Sequence, residues 1–373
     1  MKYYIIAGEA SGDLHASNLI KELKQLDSNA IFRCWGGDMM EEQGATVVKH
    51  YKDLAFMGFV EVLLNLRTIL SNIAFCKKDI MAFQPDVLIL VDYPGFNLRI
   101  AKYAKLQGLK VFYYISPSVW AWHESRVEQV RRFVDKMFVI LPFEKEFYAK
   151  HHIEVEYAGH PLTDVVNDWK MKHVKNDEWI KQNGLTNLPI IAIIPGSRKQ
   201  EISRMLPIMI EAALPYQQHQ LVITGAPSIP KEFYTPFLAG LDIKILFNQT
   251  YTILQHADAA IVKSGTSTLE AALMQVPQVV CYKANPISYR IAKMLTNIKF
   301  ISLVNLIMDR EIVKELIQHD MTVINIRKEL TQITYNKLRR REIANHYNDL
   351  IALLGTNGAS RNIAAKMWAY LRP

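Results

Sequence analysis

Pro85 introduces residues 86–91 (DVLILV), a run in which five consecutive apolar side chains follow one aspartate and end in the turn Asp92-Tyr93-Pro94-Gly95-Phe96-Asn97. A strand with no polar alternation must be covered on both faces, and a parallel sheet flanked by helices does that. The same pattern recurs along the first half of the chain. Residues 2–7, 31–35, 110–115, 136–140 and 155–158 read as strands. Between them, residues 14–26 carry Leu19, Ile20, Leu23 and Leu26 at helical spacing, and 99–106 form a helix stopped by Gly108. Strands alternating with helices predict a parallel α/β sheet with crossovers on both faces.

The pattern breaks at the polar stretch 167–187 and then restarts. Residues 189–194, 220–224, 243–246, 259–262 and 278–282 read as strands and 205–214 as a helix. From residue 338 the pattern is helical, with Ile363, Met367 and Tyr370 near helical spacing. A length of 373 residues exceeds one ordinary core. The expected architecture is two Rossmann-like, doubly wound α/β domains with a cleft between them. They span residues 1–165 and 166–340, and C-terminal helices (341–373) pack back on the first domain or exchange in a dimer. Such sheets bind ligands at the carboxyl ends of their strands.

Composition narrows the function classes. Half of the residues are hydrophobic, which suits globular domains rather than disorder. Cys34, Cys76 and Cys281 form no CxxC pair and have no metal-ligand spacing with histidine, so free thiols in a reducing compartment are expected. The first apolar run is too short for a signal peptide, and no stretch reaches the ~20 apolar residues of a membrane span. A cytoplasmic protein is expected. The net charge of +8 favours anionic partners. With no zinc finger, RNP-type strand or long basic run, nucleic acid is not expected among them.

The turns after the strands carry the candidate chemistry. In the second domain, 259–262 runs into Lys263-Ser264-Gly265-Thr266-Ser267-Thr268-Leu269-Glu270. Backbone amides at such a helix start, with the helix dipole, form an anion site that suits a diphosphate. Glu270, one turn on, is placed to accept from ribose hydroxyls. The plain alternative is a Ser267–Glu270 capping box. Pro195-Gly196-Ser197-Arg198 follows another strand. Gly196 permits close backbone approach, and Arg198 offers a planar fork for phosphate, unless it is an ordinary surface arginine.

In the first domain, Gly8-Glu9-Ala10-Ser11-Gly12-Asp13 has neither the dinucleotide fingerprint nor a P-loop lysine, which excludes NAD and ATP chemistry on motif grounds. It is expected to line an acceptor pocket or to be a plain turn and helix cap. Asp92 ends a central strand, the place for a catalytic base, with a helix-capping aspartate as the alternative. In Ser116-Pro117-Ser118-Val119-Trp120-Ala121-Trp122 the tryptophans either face a sugar or anchor the loop. Residues 54–75, with basic flanks, read either as an interfacial amphipathic helix or as a core helix. His15, His123 and His160 read as structural.

GEASGD (8–13), MGFVEVL (57–63), DYPGFN (92–97), SPSVWAW (116–122), LPFE (141–144), GHPL (159–162), PGSR (195–198), SGTSTLE (264–270) and LVNL (303–306) occur in this order. The series resembles the lipid-A-disaccharide synthase family, glycosyltransferase family 19. The first-domain motifs are specific to it, whereas PGSR and SGTSTLE are shared more widely among UDP-sugar enzymes. The resemblance implies a GT-B fold with no required metal or cofactor. It implies inverting transfer of 2,3-diacylglucosamine from UDP-2,3-diacylglucosamine to the 6-hydroxyl of 2,3-diacylglucosamine 1-phosphate. The product is a β-1,6-linked disaccharide, made at the cytoplasmic face of the inner membrane of a Gram-negative bacterium. A homodimer with exchanged C-terminal segments is also implied.

On this reading Asp92 is the base. Arg198, Gly265, Thr266, Ser267, Glu270, Asn305, Arg310 and Glu311 bind UDP, and Glu9, Ser11, Asn97 and Ser118 line the acceptor side. Many members carry a second acid where this chain has Gly95, so Asp92 is the only acid of its turn. The alternatives are another UDP-GlcNAc enzyme of the same fold, a 2-epimerase or a wall N-acetylglucosaminyltransferase, and a non-catalytic membrane-surface binder of a nucleotide-sugar.

Overall fold

The computed structural model describes residues 1–54, 66–117, 119–122, 126–238, 240–296, 298–355 and 358–372. Residues 55–65, half of the segment read as a possible interfacial helix (54–75), lie outside the described residues, as do Ser118 and His123. The chain divides into two units, Met1–Asp164 with Leu354–Pro373, and Val165–Leu353.

The first unit is a seven-stranded sheet of β1 (Lys2–Ala7), β2 (Ile31–Gly36), β3 (Thr46–His50), β4 (Val87–Val91), β5 (Lys110–Tyr114), β6 (Lys136–Val139) and β7 (Val155–Tyr157). Its order is β3-β2-β1-β4-β5-β6-β7, and every pairing is parallel. Side chains alternate between two buried faces. Tyr3, Ile5, Val87 and Ile89 join one cluster, and Tyr4, Ile6, Leu88 and Leu90 join the other. Both faces are covered, which is why the strands read as continuous apolar runs.

The C-terminal helix Ala359–Leu371 belongs to the first of these clusters through Ile363, Ala364, Met367 and Leu371. Burying each of the larger side chains, Ile363, Met367 and Leu371, contributes roughly 1.5–3 kcal/mol. The start of this helix is fixed from a distance. Asp164 accepts from the amides of Gly358 at 2.6 Å, Ala359 at 3.2 Å and Ser360 at 2.8 Å. That carboxylate serves the orphan donors of a helix start 194 residues away. Residue 341, expected to open a C-terminal segment, lies inside the helix Lys337–Leu354, most of which belongs to the second unit.

The second unit is a six-stranded sheet of β8 (Ile190–Ile194), β9 (Gln220–Gly225), β10 (Lys244–Phe247), β11 (Ala257–Lys263), β12 (Gln278–Tyr282) and β13 (Lys314–Ile317). Its order is β10-β9-β8-β11-β12-β13, again wholly parallel. In each sheet the chain order reverses at one place, between β1 and β4 and between β8 and β11. A crevice opens at the carboxyl ends of such a strand pair, because the following connections leave to opposite faces. Ala7 pairs with Val91, and Ile194 with Val262, so Gly8 meets Asp92 at one switch point and Pro195 meets Lys263 at the other. Among the described residues no helix is long and apolar enough to cross a membrane. All three cysteines are buried and free.

Candidate active site

The turn after β4 is strained and firmly held. Asp92 and Tyr93 both take left-handed backbone conformations, with φ of 45° and 50°. Such angles in non-glycine residues cost of order 1–3 kcal/mol each and persist only when the surroundings impose them. The Asp92 amide donates to the Tyr114 carbonyl at 3.2 Å. The Asp92 carbonyl accepts from the Tyr113 hydroxyl at 2.6 Å and from Asn97 Nδ2 at 2.7 Å. Pro94 then opens the helix Pro94–Leu106. Tyr93 lays its ring over Gly8, where an added Cβ would come within 2.5 Å of the ring. Glycine at position 8 is what lets the two turns touch.

Asn97, expected on the acceptor side, is fully buried, and its amide also donates to the Val91 carbonyl at 3.2 Å. It holds the Asp92 turn from beneath. Glu9 is the N-cap residue of the helix Ala10–Leu26, and Ser11 lies half-buried in its first turn. Asp13 is buried and accepts from the amides of Gly37 (2.8 Å), Met39 (3.2 Å) and Met40 (3.2 Å), so it fastens a neighbouring turn.

The Asp92 carboxyl is pushed up to about 7. Burial is the main cause, the Glu9 and Glu144 charges add to it, and a bond from the Tyr93 amide opposes it. Glu144 is itself buried and pushed up to about 7, chiefly by burial, despite accepting from the Leu141 amide at 2.9 Å and from Trp120 Nε1 at 3.2 Å. Trp120 also meets Phe143 edge-on at 5.0 Å, so it anchors its loop. Glu144, whose charge acts on Asp92, was not assigned from sequence, although it ends the LPFE motif. A carboxyl poised near neutrality suits a general base. Turnover should rise as pH increases through about 7 and level off above it, as Asp92 loses its proton. A pH–kcat/KM profile checks this, and a flat profile between about pH 5 and about pH 8 would rule Asp92 out as the titrating base.

His15 and His160 are buried, and burial pushes them down to about 4 and about 3. His160 Nδ1 accepts from the Leu162 amide at 3.1 Å. Both are neutral packing groups at physiological pH.

In the second unit the two candidate turns meet, because β8 and β11 are neighbours. Gly196 has φ of 102°, a conformation that favours glycine. Arg198 stands at the N-cap position of the helix Lys199–Ala213 without capping it through its side chain, which is 53% exposed, and Nη1 lies 3.5 Å from Glu201 Oε1. The helix Thr266–Leu273 starts from Gly265, and no side chain caps it. The Ser267–Glu270 capping box does not form, because Ser267 already lies inside the first turn. Glu270 instead accepts from the Tyr251 hydroxyl at 2.8 Å. Burial raises its pKa, and bonds from Tyr251 and Ser267 pull it back. Tyr251, Lys263 and Glu201 were not assigned from sequence.

Asn305, Arg310 and Glu311 do not join these turns. Asn305 is fully buried. Its Nδ2 donates to the Val313 carbonyl (2.8 Å) and Glu315 Oε1 (2.9 Å), and its Oδ1 accepts from the Ile312 (2.8 Å) and Val313 (3.0 Å) amides. All four hydrogen-bonding positions of the amide are used, which leaves none for a ligand. Arg310 and Glu311 are exposed, precede β13 and therefore lie at the amino ends of the parallel strands, opposite the Gly265 turn. They pair with Asp349 at 3.1 Å and Lys314 at 3.0 Å.

Similarity to solved structures concerns the fold. The UDP-GlcNAc 2-epimerase of Neisseria meningitidis bound to UDP-GlcNAc superposes with a TM-score of 0.70 at 15% identity, over 99% of this chain and 100% of that one. The calicheamicin glycosyltransferase CalG4 gives 0.61 at 14%, over 99% and 98%. Sequence similarity is more specific. The lipid-A-disaccharide synthase of Geobacter metallireducens is 37% identical over 367 residues, 96% of this chain and 94% of that protein. That of Coxiella burnetii is 36% identical over 365 residues, 96% of each. The profile of the family described as lipid-A-disaccharide synthetase matches residues 3–367. With a GT-B architecture and a match over nearly its whole length, this chain belongs to the lipid-A-disaccharide synthetase family of glycosyltransferases.

Proposed function

We propose that this chain forms the lipid A disaccharide by inverting transfer of 2,3-diacylglucosamine from UDP to 2,3-diacylglucosamine 1-phosphate, with Asp92 as the base. One observation carries the reading: the Asp92 carboxyl is held in a strained turn at a topological switch point, with its pKa raised to about 7. Family membership supplies the substrates, a nucleotide-sugar and a lipid A precursor.

In the step, the acceptor 6-hydroxyl oxygen attacks the anomeric carbon of the donor. Its proton passes to the Asp92 carboxylate. The bond from the anomeric carbon to the diphosphate oxygen breaks, and that oxygen takes the electron pair. Inversion turns the α-linked donor into a β-linked product. Charge growing on the diphosphate is met by Arg198 and by the amides around Gly265, Thr266 and Ser267, groups that need no reorganisation during the reaction. Glu270, oriented by Tyr251, holds the ribose. Glu9 and Ser11 border the acceptor.

A membrane surface suits acyl-chain substrates. The reading is supported by the net charge of +8 and by the helix Leu66–Phe83, which exposes Leu70 and Phe75 near Lys77 and Lys78. The deciding assay follows UDP release from UDP-2,3-diacylglucosamine with and without the 1-phosphate acceptor. Release should depend on the acceptor and match disaccharide formed. Acceptor-independent loss of UDP, or epimerised donor, would reject the transfer reading in favour of another UDP-sugar chemistry.

A further inference from the structure

Lys263 is the last residue of β11, and Ile194 pairs with Val262 just before it. Its side chain is only 18% exposed. Its Cδ and Cγ pass 3.3 Å and 3.4 Å from where a Cβ on Gly196 would stand, and its Nζ lies 3.8 Å from the corresponding point on Gly265. The side chain therefore lies across both turns. Its ammonium is 3.1 Å from Glu201 Oε1, the oxygen that also faces Arg198. Glu201 Oε2 is buried, accepts no hydrogen bond from the described residues and lies 3.0 Å from the Cβ position on Gly196.

One carboxylate oxygen thus serves two cations, and the other has no hydrogen-bond donor among the described residues. A lysine that merely fastens β11 to the helix Lys199–Ala213 needs no arginine on the same oxygen. A leaving diphosphate, by contrast, develops more charge than one guanidinium neutralises. We propose that Lys263 is a second diphosphate-binding cation beside Arg198, and that Glu201 is the positioning residue that holds it across the two turns. This rests on the reading of those turns as the UDP site. Glycine at 196 leaves the room that the pair occupies, and the triad keeps one net positive charge for the ligand.

The test compares UDP and UMP affinities by calorimetry, because only UDP carries the second phosphate. Lys263→Met should weaken UDP about tenfold or more, the scale of one lost charged hydrogen bond, and UMP by less than about threefold. Lys263→Gln keeps a donor for Glu201 without the charge. It should show the same narrowing of the UDP-to-UMP ratio, and it decides the matter if the methionine variant does not fold. Glu201→Ala, which frees Lys263, should narrow the ratio, and Glu201→Gln, which keeps an oxygen facing the lysine, should restore it. A ratio unchanged in folded Lys263 variants, while Arg198→Ala narrows it, would make Lys263 a structural strut and overturn the proposal. A ratio retained in Glu201→Ala would remove Glu201 as its positioning residue. If Arg198→Ala also leaves UDP binding unchanged, the UDP site itself is misassigned.

Discussion

Asp92→Asn should fold, bind UDP like the parent and lose a factor of about 10²–10⁴ in turnover. The amide keeps the size of the side chain but cannot accept the proton of the attacking hydroxyl. The turn should survive, because its contacts from Asn97, Tyr113 and Tyr114 all reach the Asp92 main chain. The deficit should fall on kcat and kcat/KM together, since the proton moves only as the glycosidic bond forms. A melting curve gives an independent check. The Asp92 pKa is raised to about 7 in the folded protein, above its ordinary value. Its contribution to stability is therefore fully present below that ordinary value and is lost as pH rises through about 7. The asparagine variant, with no buried charge to form, should melt higher relative to parent at about pH 8 than at about pH 4. Turnover near that of the parent would show that another group or solvent takes the proton. Lost activity with a collapsed transition would show that Asp92 only shapes the turn.

Arg198→Ala should weaken UDP by about 10–150-fold, the equivalent of roughly 1.5–3 kcal/mol for a hydrogen bond to a charged group. Its side chain is largely exposed and pairs only loosely with Glu201, so removing it should hardly move the melting temperature. Free uridine, which has no phosphate, should bind the variant as it binds the parent. Calorimetry with UDP and uridine separates these outcomes. Unchanged UDP affinity would reject the diphosphate assignment, and an equal loss for uridine would point to a general collapse of the site. In combination with Lys263→Met, the two effects should fail to add if both cations meet one diphosphate, because neighbours that share a partner are coupled.

The paired sheets were legible because β4, β5, β8 and β11 are central strands, and burial on both faces writes itself as an apolar run. β3 (TVVKH) and β13 (KELI) were not legible. Both are edge strands with partly exposed side chains, so their apolar signal is diluted by lysine, glutamate and histidine. The turns bearing Asp92, Arg198 and Gly265 were also readable, since glycine, proline and aspartate interrupt an apolar run only where the chain must turn.

The sequence by itself determined the alternation of elements, the turn positions and the family motifs, all of which are local patterns. Only the tertiary structure decided what those residues do with their polar atoms. It commits Asn305 to main-chain partners and the Glu315 carboxylate and Asn97 Nδ2 to main-chain carbonyls, carries Arg310 and Glu311 to the far ends of their sheet, and sets Lys263 beside Glu201. It brings the Glu144 charge to bear on Asp92 and uses Asp164 to start a helix 194 residues away. These outcomes depend on strand order, since a parallel sheet with crossovers places side by side strands that lie far apart in the chain. Local periodicity carries no record of which turns become neighbours.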